Sequence, residues 1–304
     1  MIVPPTLKPG DKIGIVAPSR KINSDKLTEA VAMIESWGYP VMFGDNLYNG
    51  YNQFAGSDEE RAADFMQMIN NKEIKAILCA RGGYGTVRIL EMIDPEIIFN
   101  NPKWVIGFSD ITALHSYFNK MIGCETIHAT MPMLYTPELR QSDTWQKLKM
   151  VLQGNGTEYE LPAHELNRKG NANGMLVGGN LSILFSLRGT FCDLDTDGRI
   201  LFIEDVDEYL YHIDRMMMNL KISGKLKNLK GLIVGGMTEM KDNIIPFGKS
   251  AYEIIADAVN NYDYPVAFNF PAGHCEPNLP LLFGRNVNFD VKPDIVNLKF
   301  SNNP

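Results

Sequence analysis

Short apolar runs alternate with segments of helical periodicity through the first part of this sequence. Buried strands are predicted for the apolar runs, at 11–19, 40–43, 74–80 and 104–106. Helices are predicted for the segments between them, at 24–37, 57–69 and 86–92. Ser57 with Glu60 three residues later is the pattern of a capping box at one helix start. Strands that alternate with helices form a parallel sheet covered by helices, and in such sheets ligands bind at the carboxyl ends of the strands.

This alternation breaks down after about Thr136. The segments 153–156 and 169–174 are polar and rich in glycine and asparagine, which is typical of turns at a domain boundary. Beyond them a second group of short strands is predicted, at 174–177, 199–204, 231–234 and 266–270. A helix is predicted over 209–220. We therefore expect two domains, spanning 1–156 and 157–304.

The composition excludes several classes of protein. The chain has 29 basic and 36 acidic residues, a formal net charge of -7, so nothing in its charge favours binding to nucleic acid. No apolar run approaches the ~20 residues of a membrane-spanning helix, and the N-terminus lacks the pattern of a signal peptide. The four cysteines form no C-x-x-C pair, which fits free thiols in a reducing compartment. We expect a soluble cytoplasmic protein without a nucleic-acid or membrane partner.

Ser109 follows the apolar run 104–106 where the chain is predicted to turn. Gly107 allows a sharp turn, and helical spacing resumes from Ile111. A serine at the tip of a strand–turn–helix projects its hydroxyl from the sheet edge, beside backbone N–H groups that stabilise negative charge. This arrangement is typical of a nucleophile. The alternative is that Ser109 or Asp110 only caps the helix.

The segment Arg81-Gly-Gly-Tyr-Gly85 follows another predicted strand and is expected at the same sheet edge. It lacks the G-x-G-x-x-G spacing of a dinucleotide-binding loop. Its backbone N–H groups are suited to cradle an anion. Either the glycine pair is plain turn chemistry, or a Gly82 or Gly83 N–H forms an oxyanion hole with the N–H of Asp110.

A nucleophilic serine needs a base, most often histidine, and the sequence has five histidines. His274 ends an apolar run and opens a loop that is well placed to reach across a domain cleft, which makes it the first candidate. His128 is the rival candidate, near the sheet edge. The others occupy a helix face turned away from the serine or polar segments, at His115, His164 and His212.

A histidine base needs a carboxylate to hold its tautomer. Glu204 ends the apolar run 199–204, where a buried carboxylate is costly unless it has a partner. The alternative is that Glu204 and the acids after it form a solvated helix start. No His/Cys cluster has the spacing of metal ligands, so we expect neither a metal nor a cofactor.

Four motifs occur in the order found in one known family, at 80–85, 107–112, 201–205 and 273–274. With them the sequence resembles the L,D-carboxypeptidases, a serine peptidase family that includes microcin-immunity proteins. The resemblance runs from about Lys12 to the last strands. It implies an α/β fold, with an N-terminal Rossmann-like parallel-sheet domain and a smaller β-rich α+β C-terminal domain. The first would carry the serine and the second the other two catalytic residues.

The resemblance also implies the site residues and the activity. The catalytic triad would be Ser109, Glu204 and His274. The oxyanion hole would come from backbone N–H groups of Asp110 and of the Gly82–Gly83 turn. Members of the family are commonly homodimers that remove the terminal D-alanine from murein tetrapeptides in the cytoplasm.

Two alternatives to this predicted activity stay open. Members of the microcin-immunity branch cleave an amide that joins an amino acid to a nucleotide analogue, but the length of 304 residues favours the carboxypeptidase branch. A non-catalytic α/β protein would use the same glycine turn to hold a small molecule. For a carboxypeptidase, Arg81 and Gly82 are the candidates to bind the free carboxylate of the substrate.

Overall fold

The computed structural model describes residues 1–156 and 158–301. The first part of the chain consists of β1 Lys12–Val16, α1 Thr28–Ser36, β2 Val41–Phe43, α2 Asp58–Asn70, β3 Ile74–Cys79, α3 Pro95–Asn100, β4 Trp104–Gly107, α4 Thr112–Tyr117, β5 Thr126–His128 and α5 Asp143–Leu152. The predicted capping box is confirmed at the start of α2. The hydroxyl of Ser57 accepts the N–H of Glu60, and the Glu60 carboxylate accepts the N–H of Ser57.

The second part of the chain contains more strand than helix. It consists of β6 Glu158–Pro162, β7 Gly170–Asn180, α6 Leu181–Ser186, β8 Ile200–Val206, α7 Leu210–Ile222, β9 Gly231–Thr238, α8 Ala251–Ala258, β10 Val266–Ala267, β11 Leu281–Phe283, β12 Asn286–Val291 and β13 Ile295–Phe300. No helix in the described ranges is long and apolar enough to cross a membrane.

The first sheet has six strands in the order β2-β1-β3-β4-β5-β11. Strands β1 to β5 are parallel, as the alternation of apolar runs and helices predicts. Their carboxyl ends therefore meet at one edge of the sheet. The turns after β1, β3 and β4 lie side by side there, and they carry the segments that begin at Ala17, Ala80 and Phe108.

The second sheet has seven strands in the order β10-β9-β8-β7-β12-β13-β6. Strands β7 to β10 are parallel, and β12, β13 and β6 are added in antiparallel fashion. The α/β fold with a parallel first sheet and a β-rich second part is confirmed. Strand β11 returns to the first sheet, where Leu281 pairs with His128, so the second half of the chain completes the sheet of the first. The boundary at 156/157 stays a prediction.

Two expectations about elements are wrong, each for a local reason. The segment after Thr136 contains α5, whose buried face includes Trp145, Leu148 and Leu152, although glycine and asparagine follow it. The polar segment 169–174 is mostly the start of β7, because its polar residues alternate with buried positions along a strand paired with β12. The predicted helix at 86–92 is present, and it is a 3₁₀ helix over Thr86–Met92.

Candidate active site

Ser109 lies at the carboxyl end of β4, in a tight strand-to-helix turn. Its φ of 62° places a residue other than glycine in the left-handed region, which costs of order 1–3 kcal/mol and is kept mainly at functional sites. Gly107, with φ of 159°, lets the chain leave the strand. A 3₁₀ turn over Ser109–Ile111 leads directly into α4. The turn therefore presents the hydroxyl of Ser109 at the sheet edge, as the sequence predicts.

Gly82 touches Ser109 from the neighbouring turn. A Cβ at Gly82 would lie 3.0 Å from Cβ and 3.2 Å from Oγ of Ser109, so only glycine fits without displacing the serine. Asp110 holds this turn in place, because its carboxylate accepts the backbone N–H of Thr86 at 2.9 Å. Burial raises the pKa of Asp110. The glycine segment and the serine turn are thus one packed unit.

Arg61 supports the same unit from α2. Its guanidinium is fully buried and donates to the carbonyl oxygens of Pro18 and Gly85, and it pairs with Asp58. These bonds link the turn after β1 to the end of the glycine segment. A buried guanidinium is stable only with such partners, so Arg61 has a structural role beneath the site.

His274 and Glu204 are in contact, although 70 residues separate them. Nδ1 of His274 lies 2.6 Å from Oε2 of Glu204, and the backbone N–H of His274 donates to the same oxygen at 3.1 Å. The Glu204 side chain is 0% exposed and that of His274 is 20% exposed. Burial by itself would lower the pKa of His274, but the Glu204 charge and hydrogen bond outweigh it, so the pKa is raised.

A bulge in β9, opposite Glu204, interrupts the regular pairing of β8 with β9 at this residue. Its strand neighbours Ile203 and Asp205 pair with Val234 and Met237 of β9, so two residues of β9 lie opposite Glu204 alone. Bulges of this kind re-aim a side chain and are common beside active sites. The apolar run predicted to end at Glu204 continues as strand to Val206.

A cavity of about 470 Å³ opens beside His274. Phe108, the residue before Ser109, forms another part of its wall, and its ring centroid lies 4.7 Å from that of His274. The serine turn and the Glu204–His274 pair therefore adjoin the same space. Within the described residues, the hydroxyl of Ser109 has no hydrogen bond to His274, and catalytic hydrogen bonds of this kind often tighten only when substrate binds.

His128 occupies a buried aromatic cluster behind Phe108. Both of its ring nitrogens are buried without a hydrogen-bond partner in the described part of the chain, and Phe202 and Phe283 pack against its ring. Burial holds its pKa well below the ordinary value. His115 is also buried, its ring bonds to the carbonyl of Gly107, and burial lowers its pKa to about 4. Among residues 1–156 and 158–301, no carboxylate pairs with either ring.

Two arginines flank the glycine turn. Arg81 donates to the carbonyl of Lys21 at 2.9 Å, and burial followed by the nearby charge of Arg20 lowers its pKa. The Arg20 side chain lies along Gly83, where a Cβ would be 2.5 Å from its Cδ. Sequence reasoning missed Arg20. The signal is its position in the turn after β1, four residues beyond Val16 and at the same sheet edge as Ser109.

Across 1–156 and 158–301 there is no cluster of three or more histidine, cysteine, aspartate or glutamate side chains that could hold a metal. The arrangement instead offers a buried carboxylate, a half-buried imidazole and a strained serine turn around one cavity. Such a set is suited to nucleophilic acyl transfer.

Comparison with known families agrees with this geometry. The LD-carboxypeptidase N-terminal domain matches residues 13–129, and the LD-carboxypeptidase C-terminal domain matches residues 173–289. The chain belongs to the LD-carboxypeptidase family. The family expected from the four sequence motifs is thereby confirmed, and membership identifies the chain as a peptidase.

Individual relatives resemble the chain over nearly its whole length. It is 37% identical to the probable murein peptide carboxypeptidase of Bacillus subtilis (strain 168), over 92% of this chain and 89% of the relative. The crystal structure of muramoyltetrapeptide carboxypeptidase from Oxalobacter formigenes is similar, with a TM-score of 0.87 and 27% identity over 96% of this chain and 99% of that one. Microcin C7 self immunity protein MccF in complex with aspartyl sulfamoyl adenosine has a TM-score of 0.87 and 22% identity over 98% of both chains, which shows a shared fold alone.

Proposed function

We propose that this chain is a serine-type L,D-carboxypeptidase that releases the terminal D-alanine from murein tetrapeptides. The observation that supports it best is the short contact between His274 and the buried Glu204, on the wall of a cavity that also adjoins the Ser109 turn. An imidazole paired with a carboxylate, beside a serine in a strained turn, provides the groups that acyl transfer through a serine requires. The names of the Bacillus subtilis and Oxalobacter formigenes relatives support the choice of a murein peptide.

The first half of the reaction forms an acyl-enzyme. Nε2 of His274 takes the proton of the Ser109 hydroxyl while Oγ attacks the carbonyl carbon before the D-alanine. Backbone N–H groups of Asp110 and Gly83 stabilise the oxyanion. Glu204 stabilises the imidazolium that forms and holds its Nδ1–H. Collapse of the intermediate breaks the C–N bond, and His274 gives its proton to the leaving amine.

The second half regenerates the enzyme. A water molecule gives a proton to His274 and attacks the ester carbonyl, and the same oxyanion hole holds the negative charge. The ester C–O bond breaks, Ser109 recovers its proton from His274, and the shortened peptide leaves as a carboxylate. No cofactor or metal is needed to balance these steps.

A carboxypeptidase also has to recognise a free carboxylate. We assign this role to Arg20 and Arg81, with the backbone of Gly82 between them and Ser109. Besides burial, the charge of Arg20 is close enough to lower the pKa of Arg81, and two guanidinium groups this close are unfavourable unless an anion joins them. In the described structure, neither arginine has an acidic partner within salt-bridge distance.

Release of D-alanine from a murein tetrapeptide, measured for wild type and Ser109→Ala, tests the proposal. We expect turnover by wild type and a loss of at least about 10³-fold in Ser109→Ala, with an unchanged melting temperature. An aminoacyl-nucleotide amide offered in the same assay separates the two branches of the family. Near wild-type release by Ser109→Ala, or cleavage of the nucleotide amide alone, would refute the assignment.

We also propose that the enzyme acts as a homodimer in the cytoplasm, as the family resemblance implies. Sedimentation equilibrium of the full chain tests the first part, and a dimer mass is expected. Fractionation of the source cells tests the second, with the protein expected to accompany cytoplasmic markers.

A further inference from the structure

Glu204 is followed in β8 by a second buried carboxylate that the proposed mechanism does not use. Asp205 is 1% exposed, and burial, followed by the charge of Glu204, raises its pKa to about 7. Adjacent residues of a strand point to opposite faces of the sheet, so the two carboxylates serve different surroundings. Burying two carboxylates at adjacent positions costs free energy of folding, which suggests that the second carboxylate also has a role.

The partners of Asp205 are all hydrogen-bond donors. Oδ1 accepts the side-chain amide of Asn180 and the backbone N–H of Val206, each at 2.9 Å. Oδ2 accepts the backbone N–H of Ser182 at 2.8 Å. These three donors compensate the burial of the carboxylate and fix its orientation, because a rotated side chain would leave them unpaired.

Asn180 connects Asp205 to α4, the helix that follows Ser109 beside the first sheet. Its backbone N–H donates to Oγ1 of Thr112 at 2.9 Å, and Thr112 is the first residue of α4, three positions after Ser109. The approach is close, since a Cβ at Gly179 would lie 2.4 Å from Oγ1 of Thr112. Asn180 is also the register partner of Glu204 in the β7–β8 pair.

A continuous set of buried polar groups therefore joins the two halves of the site. It runs from the helix that follows Ser109, through Thr112 and Asn180, to Asp205 and so to the backbone of Glu204. We propose that Asp205 is a positioning residue, which through Asn180 and Thr112 holds the Glu204–His274 pair in register with Ser109. This inference rests on the function proposed above.

The physical basis is the rotation of one strand. A bulge leaves Glu204 without regular pairing to β9, so this side of the strand does not fix its direction. Asp205, bonded on the opposite face, sets the twist of β8 at this point and thereby the direction of Glu204. Displacement of a catalytic group by about 1 Å costs about 10²-fold in rate, so even a small rotation has a measurable effect.

The connection between the sheets is tested with Thr112→Val, which removes the acceptor and keeps the branched shape, and with Thr112→Ser, which keeps the hydroxyl. On a murein tetrapeptide we expect Thr112→Val to lower kcat about 10- to 100-fold with KM within about twofold of wild type. Thr112→Ser should recover most of the lost kcat. Ser116→Ala is the matched control, because Ser116 is a buried hydroxyl one turn further along α4 and has no partner among the described residues.

Asp205 itself is tested with Asp205→Asn. Its control is Asp64→Asn on α2, since Asp64 is a buried carboxylate held in the same way, by the side-chain amide and backbone N–H of Asn46. The readout independent of turnover is the downfield ¹H NMR signal of the His274 Nδ1 proton shared with Glu204. We expect it to shift or broaden in Asp205→Asn and Thr112→Val and to stay unchanged in both controls.

The outcomes are decisive in either direction. The proposal is overturned if folded Thr112→Val keeps kcat within about twofold of wild type, or if its NMR signal is that of wild type. It is also overturned if Thr112→Val loses activity only in proportion to its loss of folded protein. If Asp205→Asn fails to fold, the two Thr112 variants test the proposed positioning role by themselves. Should wild type release no D-alanine, the proposed function fails, while the NMR comparison still tests the positioning.

Discussion

One oxygen of Glu204 accepts two hydrogen bonds from His274, from Nδ1 at 2.6 Å and from the backbone N–H at 3.1 Å. The carboxylate thus fixes the ring and also the loop that carries it. Because Glu204 is fully buried in a strand and His274 is partly exposed at a cavity, the strand determines where the imidazole stands.

Replacing Glu204 by glutamine should remove most of the activity. The amide has nearly the same shape, but it does not stabilise an imidazolium and does not favour the tautomer with a proton on Nδ1. We expect kcat to fall about 10³- to 10⁴-fold while the protein stays folded, as measured by D-alanine release and circular dichroism. Glu208→Gln, in the same acidic segment, is the control and should be close to wild type. A Glu204→Gln enzyme with more than about a tenth of wild-type kcat would contradict the triad.

The pH dependence follows from the raised pKa of His274. The ring must be neutral to accept the serine proton, so kcat/KM should fall on acidification with a midpoint above the ordinary histidine value of 6.5. In Glu204→Gln the charge and hydrogen bond of Glu204 are lost, and only the smaller effects of Asp205 and Glu239 oppose burial, so the midpoint of the His274 titration measured by NMR should move to lower pH. An unchanged midpoint in that variant would show that Glu204 is not the cause.

The raised pKa of His274 also makes the free energy of unfolding depend on pH, in a direction that follows from the direction of the pKa shift. A base whose pKa is higher in the folded protein stabilises the fold through its protonated form. This contribution is fully present below the unfolded pKa of about 6.5 and is lost as pH rises through the folded pKa. The difference in unfolding free energy between wild type and His274→Ala should therefore become smaller as pH rises through this range. Urea denaturation at several pH values measures it, and a difference independent of pH would contradict the pairing.

Gly82→Ala should impair catalysis more than folding. The new Cβ would lie 3.0 Å from Cβ of Ser109, and the serine would have to move. The serine has to give by only a few tenths of an ångström, less than the ~1 Å that costs about 10²-fold in rate, so we expect a loss of about 10-fold in kcat. Gly50→Ala is the matched control, because a Cβ there meets nothing closer than 3.7 Å. If both variants had equal activity, the contact between Gly82 and Ser109 would be irrelevant to turnover.

Arg20→Ala should weaken binding of the substrate carboxylate. A charge-assisted hydrogen bond contributes about 1.5–3 kcal/mol, which predicts an increase of about 10- to 100-fold in KM with a smaller effect on kcat. A tetrapeptide with a C-terminal amide, which lacks the charge, should be affected much less by the substitution. Lys21→Ala serves as the neighbouring control. Equal effects on the acid and the amide would remove Arg20 from the carboxylate site.

His128→Phe should retain activity. His128 is buried among aromatic rings with its pKa held well below the ordinary value, and a phenyl ring suits these surroundings. We expect kcat within about threefold of wild type, whereas His274→Phe should be inactive. A large loss of kcat in a stable His128→Phe protein would reopen the case for His128 as the base.

Elements with strong local signals could be predicted from the sequence. The parallel first sheet follows from buried runs that alternate with helices, and the capping box before α2 follows from Ser57 and Glu60. The turn that presents Ser109 follows from an apolar run, a glycine and renewed helical spacing. Local composition gave a wrong prediction at the start of β7, where turns were expected. A strand with exposed polar residues has the same composition as a loop.

Contacts between residues far apart in the chain could not be predicted from the sequence. Nothing local indicates that β11 pairs with β5, that Arg20 lies along Gly83, or that Asn180 bonds both Thr112 and Asp205. Nor could the run ending at Glu204 predict a bulge, because a bulge depends on the register with a neighbouring strand. Spacing along the chain fixes the helices and strands, whereas contacts between them depend on how the two sheets pack, which no short stretch of sequence encodes.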